Sequence, residues 1–151
     1  MIDIASTETS AISLPTTLIP TYPSHWNLYA LPGPQDDEDF ITSKGVEQFY
    51  AHQWKVSPAS NRMGIRLEPG EPSAGVDNDS IIEWARPNGG EGGSHPSNLL
   101  DNGYARGSIN LNGDTPVILT VEGPNMGGYV CVSTIASGDQ YVVLELARER
   151  D

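Results

Sequence analysis

Alternating apolar and polar residues predict short strands along most of the chain. Six runs show this pattern or are rich in β-branched residues: Trp26–Leu31, Trp54–Val56, Met63–Leu67, Ser108–Leu111, Pro116–Val121 and Tyr129–Ile135. Asn112-Gly113-Asp114 joins two of these runs and is a strong hairpin signal. The runs are short and are bounded by Gly and Pro, which favours a mainly β fold, either a barrel or a sandwich.

One segment has helical rather than strand spacing. Within Lys44–His52, Val46, Phe49 and Tyr50 follow the i, i+3, i+4 pattern that places them on one helix face. Ser43 precedes this segment and is of the residue type that caps helix N-termini. We therefore expect one short helix packed on the β-structure.

Other segments lack regular periodicity. Met1–Pro23 is rich in Ser, Thr and Pro and is expected to be a flexible segment or linker, which leaves 24–151 as the folded domain. Glu68–Ile82 is predicted to be a long irregular loop. Leu99–Tyr104 contains Asp-Asn-Gly, which predicts a turn, and Gln140–Ala147 fits either a strand or a short helix.

Charge and composition exclude several classes of function. The 151 residues suit a single domain, and the formal net charge of −12 disfavours binding to nucleic acids or anionic membranes. No apolar stretch approaches the ~20 residues of a membrane span, and no signal peptide is evident. A cytoplasmic location is the default expectation. The single cysteine, Cys131, excludes an internal disulfide and is expected to be buried and inert, and no metal site is predicted.

The stretch Gly89–Asn98 is the first candidate for chemistry, with the sequence G-G-E-G-G-S-H-P-S-N. Glycines allow a ligand to approach the backbone closely, and free amides in such a loop can bind an anion. Pro96 restricts the conformation of His95. These residues fit a loop that presents an imidazole beside backbone donors, although residue types alone also fit an ordinary surface turn with an incidental histidine.

Arg62 is the second candidate. It lies with Asn61 at the start of the predicted strand Met63–Leu67. A guanidinium at this position can bind a carboxylate ligand through two hydrogen bonds. The alternative is that Arg62 pairs with a neighbouring acid or loop carbonyl.

The order and spacing of several motifs resemble one known family. They are A-S-N-R-M-G-I-R-L at Ala59–Leu67, L-P-G-P at Leu31–Pro34, E-W-A-R at Glu83–Arg86, the Gly89–Asn98 stretch, G-D-T-P at Gly113–Pro116 and E-G-P-N-M-G-G-Y at Glu122–Tyr129. Together they are similar to the carboxyltransferase domain of urea carboxylase and urea amidolyase. This biotin-dependent family is also called allophanate hydrolase subunit 2-like, and the similarity runs roughly from Pro20 to Gln140.

The resemblance implies a cyclophilin-like β-barrel with one or two short helices. It also implies transfer of a carboxyl group from carboxybiotin to urea, giving allophanate. Anionic oxygens develop in such a reaction and call for cationic or N–H donors, for which Arg62, Gly92 and Gly93 are the candidates. His95 would donate a hydrogen bond or carry a proton.

Urea is small and neutral and needs hydrogen-bond acceptors. Asn61 and Glu122 are the candidates for this role, and Ser97 and Asn98 complete the expected substrate-binding set. If the resemblance holds, Arg62, His95 and Glu122 should converge on one pocket.

The sequence also departs from the family pattern. Ser73–Ile82 looks like an insertion, and Glu122 stands where the family usually has Asp. Only the second of the family's two related halves is recognisable, and no A-M-K-M biotin-attachment motif is present. Biotin is therefore expected on a separate carrier domain, and the partners implied are that carrier, the missing half and urea or a similar small amide.

Three alternatives remain open from the sequence. The chain is a half-enzyme that is inactive alone, a non-catalytic or vestigial β-barrel binding module, or a relative acting on 5-oxoproline. The H-P-S-N element favours the urea carboxylase branch over the 5-oxoprolinase-like relatives. An unrelated β-sandwich would require the ordered motif matches to arise by chance.

Overall fold

A computed structural model describes residues 13–18, 21, 23–70, 81–140 and 142–143 of the chain. Most of the expected flexible segment 1–23, most of the Ser73–Ile82 insertion and most of Gln140–Ala147 lie outside the described residues.

The described residues contain a nine-residue α-helix and seven strands, and Gln140, Val142 and Val143 are also helical. The helix is α1 (Ser43–Ala51), and the strands are β1 (Ala30–Pro32), β2 (Trp54–Val56), β3 (Gly64–Pro69), β4 (Asn98–Gly103), β5 (Ser108–Asn112), β6 (Thr115–Leu119) and β7 (Met126–Ile135). Short 3₁₀ turns occur at Thr16–Leu18, Gly90–Gly92 and Ser137–Asp139.

All seven strands join one antiparallel sheet. Its order is β1-β7-β5-β6-β3-β2, and β4 also pairs with β7. The sheet curls into half of a barrel with the helix packed on one face. The expectation of a mainly β, barrel-type fold with a short helix is confirmed.

Strand β4 occupies the segment in which the sequence predicts a turn. Asn102 pairs with Gly127, and Gly103 pairs with Met126, so the chain stays extended through Asp-Asn-Gly. The register shifts between Asn98 and Asn102, which accommodates the irregular sequence while the pairing with β7 continues. The predicted turn is wrong because long-range pairing overrides local turn propensity.

The N-terminus of α1 differs from the expectation by one residue. Thr42, rather than Ser43, is the N-cap, and its hydroxyl oxygen accepts a hydrogen bond from the Gly45 amide at 3.0 Å. Ser43 instead donates its hydroxyl to Glu38 at 2.6 Å. The Ser43 hydroxyl and the Ser43 amide both donate to Glu38 and hold the pKa of its carboxyl below the ordinary value.

The two faces of the sheet are packed differently. The main core lies on the helix side and includes Phe49 of α1 together with Ile65, Leu67, Ile109, Leu111, Ile118, Val130 and Val132. The other face carries a small cluster of Tyr104, Leu119 and Cys131, against which Val117 packs. Cys131 is buried as predicted, and burial raises the pKa of its thiol.

The described residues lack two further features. No helix in this part of the chain has the length and hydrophobicity needed to cross a bilayer. No group of three or more His, Cys, Asp or Glu side chains in the same part of the chain could hold a metal ion.

Candidate functional site

The glycine loop before His95 forms a closed 3₁₀ turn. The Gly92 amide donates to the Gly89 carbonyl at 3.1 Å, and the Gly93 amide donates to the Gly90 carbonyl at 3.3 Å. Both amides that were expected to be free anion donors are therefore engaged within the turn. In this conformation the loop does not provide an anion-binding nest at Gly92 and Gly93.

Close packing explains why glycines occupy these two positions. A Cβ at Gly92 would lie 2.3 Å from the carbonyl carbon of Leu99. Gly93 has a φ of +146°, and a Cβ there would lie 2.9 Å from Oδ1 of Asn98. The loop must therefore pass directly against the start of β4, which only glycine permits.

The imidazole of His95 is fixed by its own loop. The Ser97 amide donates to Nδ1 at 3.1 Å, and the Ser97 hydroxyl lies 2.9 Å from the same nitrogen. The His95 amide donates to Oδ1 of Asn98 at 3.1 Å. Because Nδ1 accepts a backbone hydrogen bond, the neutral ring carries its proton on Nε2. Among the described residues, no group hydrogen-bonds to Nε2, and the Trp84 ring packs edge-on against the imidazole at a centroid distance of 5.6 Å.

Arg86 binds the backbone of the His95 loop. Its Nη2 donates to the carbonyls of Pro96 and Asn98 at 2.7 and 2.6 Å, and Nε donates to Pro96 at 2.9 Å. The guanidinium also stacks on the Phe40 ring, 4.6 Å from its centroid. Burial lowers its pKa, but an arginine remains charged at neutral pH. Sequence reasoning did not select Arg86, although its position in the E-W-A-R motif was the available signal.

Ser97 anchors the loop to the sheet. Its side chain is fully buried, and its hydroxyl oxygen accepts from the Gly113 amide at 3.1 Å. Its carbonyl accepts from the Val130 amide at 2.8 Å. Trp84, which packs on His95, is also tied to the β5–β6 turn, because its Nε1 donates to Asp114 at 2.8 Å. The His95 loop is thus fixed at the β5–β6 turn.

Arg62 and Glu122 form an exposed ion pair. Arg62 Nε lies 2.7 Å from Glu122 Oε2, and the two side chains are 77% and 54% exposed. Arg62 therefore pairs with an acidic side chain of the chain itself, which is the second of the two arrangements that the sequence allowed. The Thr120 hydroxyl donates to the Arg62 carbonyl, and Asn61 Oδ1 accepts from the Met63 amide at 2.9 Å. Asn61 therefore shapes the turn that presents Arg62.

The candidate residues form two groups rather than one. Arg62 and Glu122 lie where β6 ends, since Gly64 pairs with Leu119. The His95 loop lies where β6 begins, since Ser97 contacts Gly113. The expectation that Arg62, His95 and Glu122 share one pocket is not met, because the five residues of β6 separate the two groups.

An open groove of about 410 Å³ lies on the sheet face opposite the main core. Its lining includes Asn61 near one end, Asn112 near the other, and Val117 and Leu119 of β6 between them. Arg62, His95 and Glu122 do not line it.

Asn110 is the most unusual residue of the groove. It is only 4% exposed, and no described group donates to its side-chain oxygen Oδ1. Leaving a buried acceptor unpaired costs about 1–3 kcal/mol, and native proteins contain few such groups. Little in the sequence singles out this residue, because Asn110 occupies a polar position in an alternating strand.

Comparison with known proteins places these motifs in a family. The model of the carboxyltransferase domain, subdomain A and B, matches residues 2–147. The chain belongs to this carboxyltransferase family. A urea amidolyase of Saccharomyces cerevisiae is 39% identical over 133 residues, which cover 87% of this chain and 7% of the yeast protein. An Emericella nidulans protein, provisionally named a urea carboxylase, is 44% identical over 85% of this chain and 9% of its own length.

Solved structures agree with this assignment. The crystal structure of the Kluyveromyces lactis urea carboxylase matches with a TM-score of 0.70 and 39% identity, covering 85% of this chain and 11% of that one. TTHA0988, at 18% identity and a TM-score of 0.53, shares the fold. The chain spans less than a tenth of the length of the curated relatives it matches.

Several residues of the carboxyltransferase motifs have structural roles in this chain. Arg86 and Ser97 hold the His95 loop, Asn61 shapes the Arg62 turn, and Gly92 and Gly93 allow close packing. Of the predicted site atoms, His95 Nε2 and the exposed head groups of Arg62 and Glu122 remain accessible for chemistry.

Proposed function

We propose that this chain supplies one half of a carboxyltransferase domain that moves a carboxyl group from carboxybiotin to urea, forming allophanate. The observation that carries the proposal is the His95 loop. Arg86, Ser97 and Asn98 hold it in one conformation in which Nδ1 is occupied and the Nε2 proton is left for another molecule. The similarity to urea carboxylase and urea amidolyase supports urea as the acceptor.

The groove provides a test of whether biotin chemistry fits the chain. Its lining includes the polar Asn112 and the apolar Val117 and Leu119. A ureido group has N–H donors and a flat apolar face, so the residues present fit it. Biotin, when bound, would supply the ureido ring that carries the transferred carboxyl group.

Arg62 provides a local positive charge in a chain with a net charge of −12. An anionic carboxylate needs such a charge, and Glu122 orients the guanidinium through the 2.7 Å contact. His95 is at the other end of β6, so it acts on a different group from Arg62. We assign its Nε2–H to hydrogen bonding with a group brought by the other half of the domain or by the carrier.

The chain alone should not turn over urea. Its groove is open to solvent on the face away from the main core, so donor and acceptor are not enclosed in a near-attack geometry. Losing about 4 kcal/mol of positioning slows a step about 1000-fold. The partners required are the complementary half of the domain and a separate biotin carrier domain.

The test is reconstitution. The purified chain is mixed with the complementary half of the domain, a carboxylated biotin carrier and ¹³C-urea, and allophanate is followed by mass spectrometry. Turnover should require both halves and should fall in Arg62→Gln and His95→Asn, while Asn27→Ala at an exposed site serves as the control. No allophanate in the complete mixture contradicts the proposal, and turnover by the chain alone contradicts the requirement for a second half.

A further inference from the structure

We propose that Arg66 binds a carboxylate in the groove, with the side-chain N–H groups of Asn61 as a second donor. The site suits a small molecule that joins a carboxylate to a short apolar or planar body. This inference rests on the proposed function, and it adds to Arg62 a second cation, one that lies within the lining of the groove.

The guanidinium of Arg66 is free among the described residues. Arg66 is exposed and lines the groove, and its guanidinium forms no hydrogen bond or ion pair within this part of the chain. The other described arginines each donate to a carboxylate, carbonyl or amide oxygen. A guanidinium presents its N–H donors in a planar fork that matches a carboxylate, so Arg66 is ready to bind one from a ligand.

The amide of Asn61 is oriented with its donors toward a ligand. Its Oδ1 accepts from the Met63 amide at 2.9 Å and from the Gly64 amide at 3.3 Å. These contacts hold the oxygen against the turn and leave the two N–H groups of Nδ2, which no described group accepts. Asn61 is exposed and lines the groove, so it offers donors to an anion rather than the acceptor expected from the sequence.

Apolar surface lies beside these two residues. Arg66 pairs with Val117 across the strands, and Gly64 pairs with Leu119. A Cβ at Gly64 would lie 2.8 Å from Cγ1 of Val117, so the valine packs directly on the strand that carries Arg66. Both Val117 and Leu119 line the groove. A carboxylate at Arg66 therefore places the rest of its molecule against apolar side chains, which strengthen the ion pair by excluding water from one side of it.

Other polar side chains of the lining are less suited to an anion. The Tyr104 hydroxyl donates to the Tyr129 carbonyl at 2.8 Å, and Asn110 is only 4% exposed. Asn112 lies near the opposite end of the groove from Asn61. Among the described residues that line the groove, Arg66 is the one that carries a formal charge. An anion should therefore bind at Arg66.

The experiment titrates the ¹⁵N-labelled 151-residue chain with two stable carboxylates and one neutral compound. N-carbamoylglycine resembles a linear carboxylated urea, and 2-oxoimidazolidine-1-acetic acid resembles a carboxylated ureido ring. N-carbamoylglycinamide keeps the shape of the first but lacks its charge. We expect the carboxylates to shift the Gly64 and Arg66 amide signals, and the neutral compound to bind about tenfold more weakly.

Variants of Arg66 test the guanidinium. Arg66→Gln should raise the dissociation constant of the carboxylates about tenfold or more, because it removes a charge-assisted contact. Arg66→Lys should recover only part of the affinity, because lysine lacks the planar fork. Arg106→Gln, outside the groove, is the matched control and should change the dissociation constant by less than about twofold.

Asn61→Asp separates the ligand donor from the turn. It keeps an acceptor oxygen for the Met63 and Gly64 amides but replaces the Nδ2 donors with a second oxygen, which repels a carboxylate. Binding should be lost while the midpoint of guanidinium unfolding stays close to that of the wild-type chain. Asn112→Asp adds the same charge at the other end of the groove and should weaken binding by a smaller factor.

The two carboxylates distinguish the source of the ligand. Binding of N-carbamoylglycine alone assigns the site to a linear carboxylated product, and binding of the ring compound alone assigns it to a carboxylated ring, and either result supports the site. Equal affinity in Arg66→Gln and the wild-type chain, equal binding of the neutral compound, a larger loss in Asn112→Asp than in Asn61→Asp, or no binding of either carboxylate overturns the inference. Binding that depends on Arg66, together with no allophanate from the complete reconstituted mixture, would overturn the proposed function but not this site.

Discussion

The two faces of the curled sheet use side chains from the same strands in different ways. On the helix side, Leu111 and Ile118 are buried in a continuous apolar core. On the other side, their chain neighbours Asn110 and Val117 line an open groove. Alternation along β5 and β6 thus directs one set of side chains into the core and the other toward the groove.

The contrast shows where change is tolerated. A core residue loses contacts on all sides when it is shortened, whereas a groove residue borders solvent or ligand. Stability should therefore follow the helix-side face, and binding should follow the groove face.

Leu111→Ala should be the most destabilising of these changes. Leu111 is fully buried, and truncation of a buried leucine costs about 2–5 kcal/mol. Val117→Ala on the groove face should lower the free energy of unfolding by about 1 kcal/mol or less, because Val117 is only partly buried. Guanidinium unfolding followed by tryptophan fluorescence measures both, and equal losses would contradict the separation of the faces.

Arg86→Met should come next. It removes charge-assisted hydrogen bonds to the Pro96 and Asn98 carbonyls, each hydrogen bond to a charged group being worth about 1.5–3 kcal/mol. Arg86→Lys should recover only part of this loss because lysine lacks the planar fork. Unfolding free energies and the His95 ring signals in NMR report the effect.

Arg106→Met is the matched control for Arg86. Arg106 is exposed and donates to Gln140 at 2.9 Å. Its loss should change stability by less than about 1 kcal/mol and leave the His95 signals unmoved. If Arg86→Met behaved in the same way, the guanidinium would not be what holds the His95 loop.

Alkaline pH should act on the groove face. Burial raises the pKa of Cys131 above its ordinary value of 9.0 and that of Tyr104 above 10.0. As pH rises past 9, the unfolded thiol loses its proton while the folded thiol keeps it, so stability falls. Each such group contributes a slope of up to about 1.4 kcal/mol per pH unit.

Cys131→Val isolates the thiol contribution. It should flatten the decline in unfolding free energy from pH 9 upward and leave stability near pH 7 little changed. Unfolding curves at several pH values test this. A decline as steep as in the wild-type chain would mean that Tyr104 or other groups account for it.

Arg62→Ala should have the smallest effect on stability. The Arg62–Glu122 pair is exposed, and such pairs contribute about 0–1 kcal/mol. The difference from the wild-type chain should shrink at high salt, because salt screens exposed charges. A loss well above 1 kcal/mol would show that this pair is part of the fold rather than a free functional group.

Local sequence patterns predict much of the fold. Gly113 takes a φ of +64° in the hairpin turn, as Asn-Gly-Asp indicates, and α1 lies within one residue of the predicted helix. The strand predicted at Trp26–Leu31 is reduced to Ala30–Pro32, although Trp26 packs on the core. Trp26 is apolar because it packs on the core, not because it lies in a paired strand. Sequence periodicity cannot distinguish these two causes.

The site is harder to predict because its arrangement is not local. Motif order placed Arg62 and His95 in the same domain, but only the pairing of β3 with β6 shows that they lie at opposite ends. Asn110 occupies a position where alternation implies exposure. Neighbouring side chains nevertheless cover most of Asn110, which is only 4% exposed although it borders the groove.

The ten-residue strand β7 also sets when the fold can be completed. It pairs with β5 on one side and with β1 and β4 on the other, and Ala30 of β1 meets Ile135. At synthesis rates of roughly 5–20 residues per second, β1 waits about 5–20 s for its partner. Until β7 is made, the edges of β1, β4 and β5 that it covers stay unpaired, so the growing chain is most exposed to wrong strand pairing in the interval before β7 is synthesised.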